Sequence, residues 1–309
     1  EFENIRTNGK IAITLKENAN YPHIVVDKDG GKITFTNAMT VGLFETEKSP
    51  ETVFESNVSV GTFTDKADSG TYIFNKNASF ATETIFNTTE TVSFGSDENS
   101  TTSFGTTDNP VNFTHTAGNT TIAGNVVANE ITLAENTIDG TVTGTEITLG
   151  KTTLNGNITG TDVEIGDLSL NGTIVADNIT LAEILVVENS KLKINDTSTD
   201  GKITLNGNIL STDLKNLTLD GNVDAFCSSI NLDQGTLESK GTFTAQNDLL
   251  INAICTFGNN VDAKGNLTIN GNANFANTVT TGNNLTIEGD EIIINGAVIA
   301  GKSDPFTEG

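Results

Sequence analysis

Glu130, Glu146, Asp162 and Asn178 stand sixteen residues apart, and three of the four carry carboxyl groups. In a chain coiling with that period they form one column. Carboxylates on one face are what sugar-cleaving β-helices use. Such cleavage needs two or three differently tuned carboxylates in a groove walled by long loops. Here the acid repeats monotonously and few segments are long enough to wall a groove. His23 and His115 are too distant in chain order to share a triad. No GxSxG elbow, phosphate loop or HExxH pattern occurs. The expectation is a protein that is not an enzyme, with polysaccharide cleavage as the catalytic alternative.

Metal chemistry fares no better. Asp27-Lys28-Asp29-Gly30 is a fragment of a calcium loop, but the same residues make a tight turn without a metal. The calcium-binding nonapeptide GGxGxDxUx is absent. Cys227 and Cys255 sit among apolar neighbours with no CxxC or Cys/His grouping, and read as two buried small hydrophobes, with a disulfide as the alternative. No catalytic, cofactor-binding or metal-ligating residue is therefore assigned. Forty acidic against sixteen basic residues give a formal charge of −24, a field that repels phosphate backbones and excludes nucleic acid as a partner. That charge also allows Ca²⁺ to gather loosely as an ionic atmosphere. No stretch reaches membrane-spanning length, and the start at Glu1 lacks a signal pattern, so the chain reads as processed or as a fragment.

The period that aligns the acids is the strongest feature of the sequence. Apolar pairs recur as Ile122/Val126, Ile138/Val142, Leu154/Ile158 and Leu170/Ile174, with Gly124, Gly140, Gly156 and Gly172 between the members. Ile131/Leu133, Ile147/Leu149, Val163/Ile165 and Ile179/Leu181 recur in step, alternating at period two as strands do. Asn-Gly suggests hairpins, yet a two-residue turn at Asn171-Gly172 would set Leu170 against Thr173 and Ser169 against Ile174, apolar against polar. Read instead as solenoid corners, the glycines supply a positive φ and every Leu and Ile points inward. Parallel coils then stack at about 4.8 Å, and Asn and Thr ladder from coil to coil.

The rule extends in both directions. Phe35, Phe54, Phe74, Phe94 and Phe113 lead by nineteen or twenty residues into Leu133, and Phe44, Phe63, Phe86 (or Phe80), Phe104 and Ile122 form a second, less regular column. Leu249/Ile251, Leu267/Ile269 and Leu285/Ile287 step by eighteen. The fold class is all-β: a single-stranded parallel β-helix, right-handed by default, of roughly 15 rungs and about 70 Å. Residues 1–34 form an N-terminal strand and a hairpin (24–36) leading in; 35–120 are wider Phe-rich rungs; 121–183 are the regular rungs. Residues 184–232 are irregular, with a loop in 188–201; 233–300 are eighteen-residue rungs; 301–309 are a tail. Only Leu181–Val187 carries a weak helical stripe. Thr132, Thr148 and Thr180 point outward, but Glu164 interrupts the rank, which disfavours ice or lattice binding. Asn-x-Ser/Thr triplets at Asn77, Asn87, Asn112, Asn157, Asn178, Asn216, Asn266 and Asn284 mark surface-compatible positions.

"GNLTINGNANFANTVTTGNNLTIEG" at 265–289 resembles the repeats of filamentous-haemagglutinin-type exoproteins and autotransporter passengers. The resemblance implies a secreted right-handed β-helix at a bacterial surface, although no translocator barrel follows. The block 122–181 resembles bactofilins, shorter solenoids that polymerise end to end. Strand-like "KIAITL" (10–15) and "EIIINGAVIA" (291–300) lie toward the two ends without an amphipathic cap, which favours end-to-end assembly. The expected function is an extracellular or cell-surface filament, layer or matrix subunit whose partner is itself. The alternative is an adhesin stalk that binds a cell-surface ligand.

Overall fold

The computed structural model describes residues 19–27, 30–48, 50–186, 190–194, 201–211 and 214–301. Among them the chain is all-β, a parallel β-solenoid of about 14 turns, close to the fifteen expected. Contacts divide it into two units, Glu1–Thr161 and Asp162–Gly309.

The first unit shows how sixteen residues close a coil. Along Glu130–Ile138 the inward residues are Ile131, Leu133, Asn136 and Ile138, so the alternation slips by one between Leu133 and Asn136. That slip turns the chain, giving with Asn125–Val127 three short sides per coil. The next coil repeats them in register: Ile131 on Ile147, Leu133 on Leu149, Ile138 on Leu154 and Val126 on Val142. Ile122, Val126, Ile138, Leu154 and Ile158 are all fully buried.

The corner glycines have a different cause from the one expected. Gly124, Gly140 and Gly156 do not have positive φ. A Cβ on Gly140 would lie 1.9 Å from the Gly124 carbonyl oxygen, and one on Gly156 would lie 1.9 Å from that of Gly140. Glycine is required there because successive backbones nearly touch. Positive φ is confined among described glycines to Gly30, Gly31, Gly95, Gly105, Gly271 and Gly301.

Toward the N-terminus the interior is aromatic. Phe35, Phe54, Phe74 and Phe94 stack in register with centroids 4.8–5.3 Å apart. The columns then cross over. Phe94 pairs with Ile122, not Phe113; Phe113 pairs with Ile131, not Leu133; Phe44 pairs with Phe63 and Phe80, the alternative to Phe86, with Phe104, but Phe80 rests on Val60 and not on Phe63. Two irregularities cause this: an antiparallel hairpin between Thr101–Thr106 and Asn109–Pro110, and a register shift between His115 and Asn119. Among the described residues the two strands of the hairpin expected at 24–36 do not pair with each other. Ala19–Val26 pairs in parallel with Met39–Thr46, and Lys32–Phe35 with Glu51–Phe54, so both are ordinary coil sides.

The second unit has the same three-sided coil with a mostly aliphatic interior. Ile184, Ile209, Ile230, Ile251, Ile269 and Ile287 form one continuous file. The column Leu205, Ala225, Ala245, Ala263 shrinks while Phe243, Phe257 and Phe275 enter the core, so small residues accompany large ones. The helical stripe at Leu181–Val187 is instead strand, Ile184–Val186; Val187 lies outside the described residues. Within the expected loop, Ser190–Ile194 is a regular side pairing with strands on both edges. Residues 195–200, and "KIAITL" at 10–15, lie outside the described residues. The eighteen-residue step is confirmed by Leu249 on Leu267 and Leu267 on Leu285.

Candidate functional site

Polar side chains in this fold are placed by ladder position. An outward residue meets its counterparts one coil away, at about 4.8 Å. The acid column behaves this way: Glu130 registers on Glu146 in the first unit, and Asp162 on Asn178 in the second. Asn112 Nδ2 donates to Glu130 Oε2 at 2.9 Å, and Asn178 Nδ2 to Asp162 Oδ1 at 2.8 Å. Amides on neighbouring coils thus bind these carboxyls.

Asparagine carbonyls tie coils together as well. Asn77 Oδ1 accepts the Thr101 N–H at 2.8 Å, Asn222 Oδ1 that of Thr242 at 3.0 Å, and Asn266 Oδ1 that of Asn284 at 3.2 Å. Asp248 does the same for Asn266 at 2.7 Å, and this hydrogen bond holds its carboxyl below the usual carboxylate range. Of the Asn-x-Ser/Thr positions, Asn77, Asn112, Asn216 and Asn266 all accept backbone N–H groups of the following coil. Lysines join the same scheme: Lys191 and Lys240 lie 2.7 and 3.5 Å from Asp220, holding its carboxyl down, with the Lys191 hydrogen bond as the main cause.

The residues singled out by type are scattered. His23 Nε2 lies 3.3 Å from Glu45 Oε2, which also meets Lys66 through its other oxygen. Asp27 of the calcium-loop fragment faces Lys48 at 3.3 Å; Lys28 and Asp29 lie outside the described residues. Cys227 and Cys255 are buried free thiols, pushed by burial to about 11 and about 12. Thr132 and Thr148 register on one another and Glu164 registers on Thr180, as the interrupted rank requires. Among the described residues no cluster of three or more His, Cys, Asp or Glu is placed to hold a metal ion, and no helix is long and apolar enough to cross a membrane.

Two features went unseen in the sequence. One is a buried polar cluster in the first unit. Asp65, 3% exposed, accepts Tyr72 Oη at 2.6 Å, Thr46 Oγ1 at 2.9 Å and Ala67 N at 3.2 Å through Oδ1. Its Oδ2 accepts Asn87 N at 2.8 Å and Thr88 N at 3.1 Å. Burial first, and the adjacent Asp65 second, push the Tyr72 hydroxyl well above its ordinary pKa. His115, fully buried, lies with Nε2 3.0 Å from the Thr88 carbonyl and Nδ1 2.8 Å from Thr120 Oγ1. The carbonyl can only accept, so Nε2 carries the proton and Nδ1 accepts from Thr120. Burial lowers the His115 pKa against the opposing hydrogen bond to Thr88. The signal was parity: Asp65 sits two residues beyond inward Phe63.

The other is a depression of about 490 Å³ on the face formed by Met39–Thr46, Val58–Asp65, Ala78–Phe80 and Thr101–Thr106. Thr40, Ser59, Ser79 and Ser103 run along it in register. Its lining carries no charged or aromatic side chain, a neutral stripe on a strongly acidic protein. No known family model, curated protein or solved structure matches the chain.

Proposed function

We propose that this protein is a non-enzymatic structural β-solenoid of a cell surface or extracellular matrix, built to take on further coils of the same kind. One observation carries the reading. The coil made by Leu285–Ile287, Ile292–Ile294 and Val298–Ala300 sets Ile292 over Ala273 and Val298 over Val279, yet these inward-register side chains stay 45% and 48% exposed. A parallel coil laid on this edge would bury them and pair strand edges that no described residue pairs, which favours association there. Acidic flanks oppose association from the side. The commitment of Asn, Asp and Lys side chains to neighbouring coils supports the same reading, because these groups serve cohesion.

Sedimentation velocity and electron microscopy across rising concentration test it. The expected result is growth in mass that Ile292→Lys with Val298→Lys abolishes while the fold is kept. Monomers at every concentration would overturn it. A second reading, display of a lateral face to a cell-surface ligand, is favoured by the neutral depression along Thr40, Ser59, Ser79 and Ser103. Release of reducing ends from an acidic polysaccharide would overturn both.

A further inference from the structure

One inward column of the first unit runs Thr52, Tyr72, Val92, Thr120, Asn136, Thr152 in unbroken register. Its last three members are polar and at least nine-tenths buried, with Asn136 at 6% exposure and Thr120 and Thr152 at 1%. Asn136 Oδ1, Asn136 Nδ2 and Thr152 Oγ1 have no hydrogen-bond partner among the described residues. A buried amide or hydroxyl left unpaired is destabilising, and native interiors rarely tolerate several side by side.

The ladder spacing explains why these neighbours do not satisfy one another. Side chains in register lie about 4.8 Å apart, well beyond a direct hydrogen bond of about 2.9 Å. One water between two such groups, at about 2.8 Å from each, spans that gap. The chemistry selects water over an ion. Asn136 offers a donor and an acceptor, Thr152 offers both in one hydroxyl, and Thr120 keeps acceptor capacity after donating to His115. A cation would meet the Asn136 amide protons, and an anion its carbonyl. The same column holds Val92 and Tyr72, one and two coils before Thr120, so its width exceeds what threonine fills.

We infer that the first unit binds a short file of structural water, one molecule between Thr120 and Asn136 and one between Asn136 and Thr152. Thr52 is the internal contrast. Its Oγ1 is also unpartnered, but the column places Ile33 on one side and the Tyr72 ring on the other. A buried water needs two to four polar partners, so the site at Thr52 stays dry.

The test is a high-resolution crystal structure of the whole chain, with water-to-protein NOE measurements on the Asn136 side-chain amide. The expected result is density bridging Asn136 to Thr120 and to Thr152, slow-exchanging water NOEs at the Asn136 amide protons, and no density at Thr52. Thr152→Val should remove the water beside it and leave the other. A direct hydrogen bond from Asn136 to either threonine would overturn the inference, as would Asn136 amide protons without a water NOE.

Discussion

The two units meet one requirement, in-register stacking of three-sided coils, with different interiors. In Glu1–Thr161 the core is a wall of stacked Phe rings interrupted by a polar cluster around Asp65 and His115, giving way to Ile, Leu and Val from Ile122 on. In Asp162–Gly309 it is a file of Ile with Ala columns beside Phe243, Phe257 and Phe275, and the buried thiols are free. The first interior gains specificity from directional bonds that fail badly when one partner goes. The second relies on area, which degrades gradually. Stability should therefore be concentrated in a few residues in the first unit and distributed in the second.

The largest expected effect tests that contrast directly. Asp65→Ala strands the buried Ala67 and Thr88 N–H groups and one of the Tyr72 and Thr46 hydroxyls, which lie 2.7 Å apart and can pair with each other, at about 1–3 kcal/mol for each buried donor left unpaired; it also frees the more exposed Asn87 N–H. Hydrogen exchange should show protection lost at Asn87 and Thr88 while the file Ile230, Ile251, Ile269 keeps its protection. Equal loss in both units would break the comparison.

Next comes Gly140→Ala, expected to cost about 1–3 kcal/mol because backbone must move away from the new Cβ. Gly30→Ala, at φ +60 with open space around the added carbon, should cost about 1–2 kcal/mol from conformation alone. Denaturant unfolding of both variants separates contact from conformation.

Titration should distinguish the units next, with slopes of at most about 1.4 kcal/mol per pH unit for each group. The His115 pKa is lowered in the fold, so the unfolded chain takes up the proton first. First-unit stability is whole above about pH 6.5 and falls as pH drops below it. The Cys227 and Cys255 pKa values are raised, so their contribution to second-unit stability is whole below about pH 8.5 and falls as pH rises past it, while what the lowered Asp220 and Asp248 carboxyls contribute is lost only below about pH 4. Tyr72 adds an alkaline loss to the first unit only above about pH 10. Thermal melts across pH should lose the mid-alkaline slope in Cys227→Ala with Cys255→Ala and keep the acid one.

The smallest effect belongs to the asparagine ties. Asn266→Ala removes one exposed acceptor of a backbone N–H and should cost about 0.5–1.5 kcal/mol, read from the urea midpoint.

Much of this architecture was legible because each inward residue rests on its own counterpart, which writes the coil length into the sequence. Ile131 over Ile147 and Leu249 over Leu267 needed no coordinates to propose. The corners were found, but their physics was misread: a glycine needed for positive φ and one needed for backbone contact look alike in a sequence. The crossing of the Phe columns was hidden because the hairpin after Thr106 and the shift after His115 add residues without repeating. Asp65 had the inward parity of Phe63, but a short acidic residue near a turn reads as solvated until its donors are seen. The neutral depression depends on which Ser and Thr share a ladder, and variable coil lengths conceal that register.

The ladder Ile122, Ile138, Leu154 has a consequence for length itself. Positions sixteen residues apart are interchangeable neighbours, so excising residues 138–153 would join Thr137 to Leu154 with every side still facing its former kind of partner. Removing eight would turn the interior outward. Length in this region is thus quantised, and a gene encoding it can be edited in whole steps and in no other.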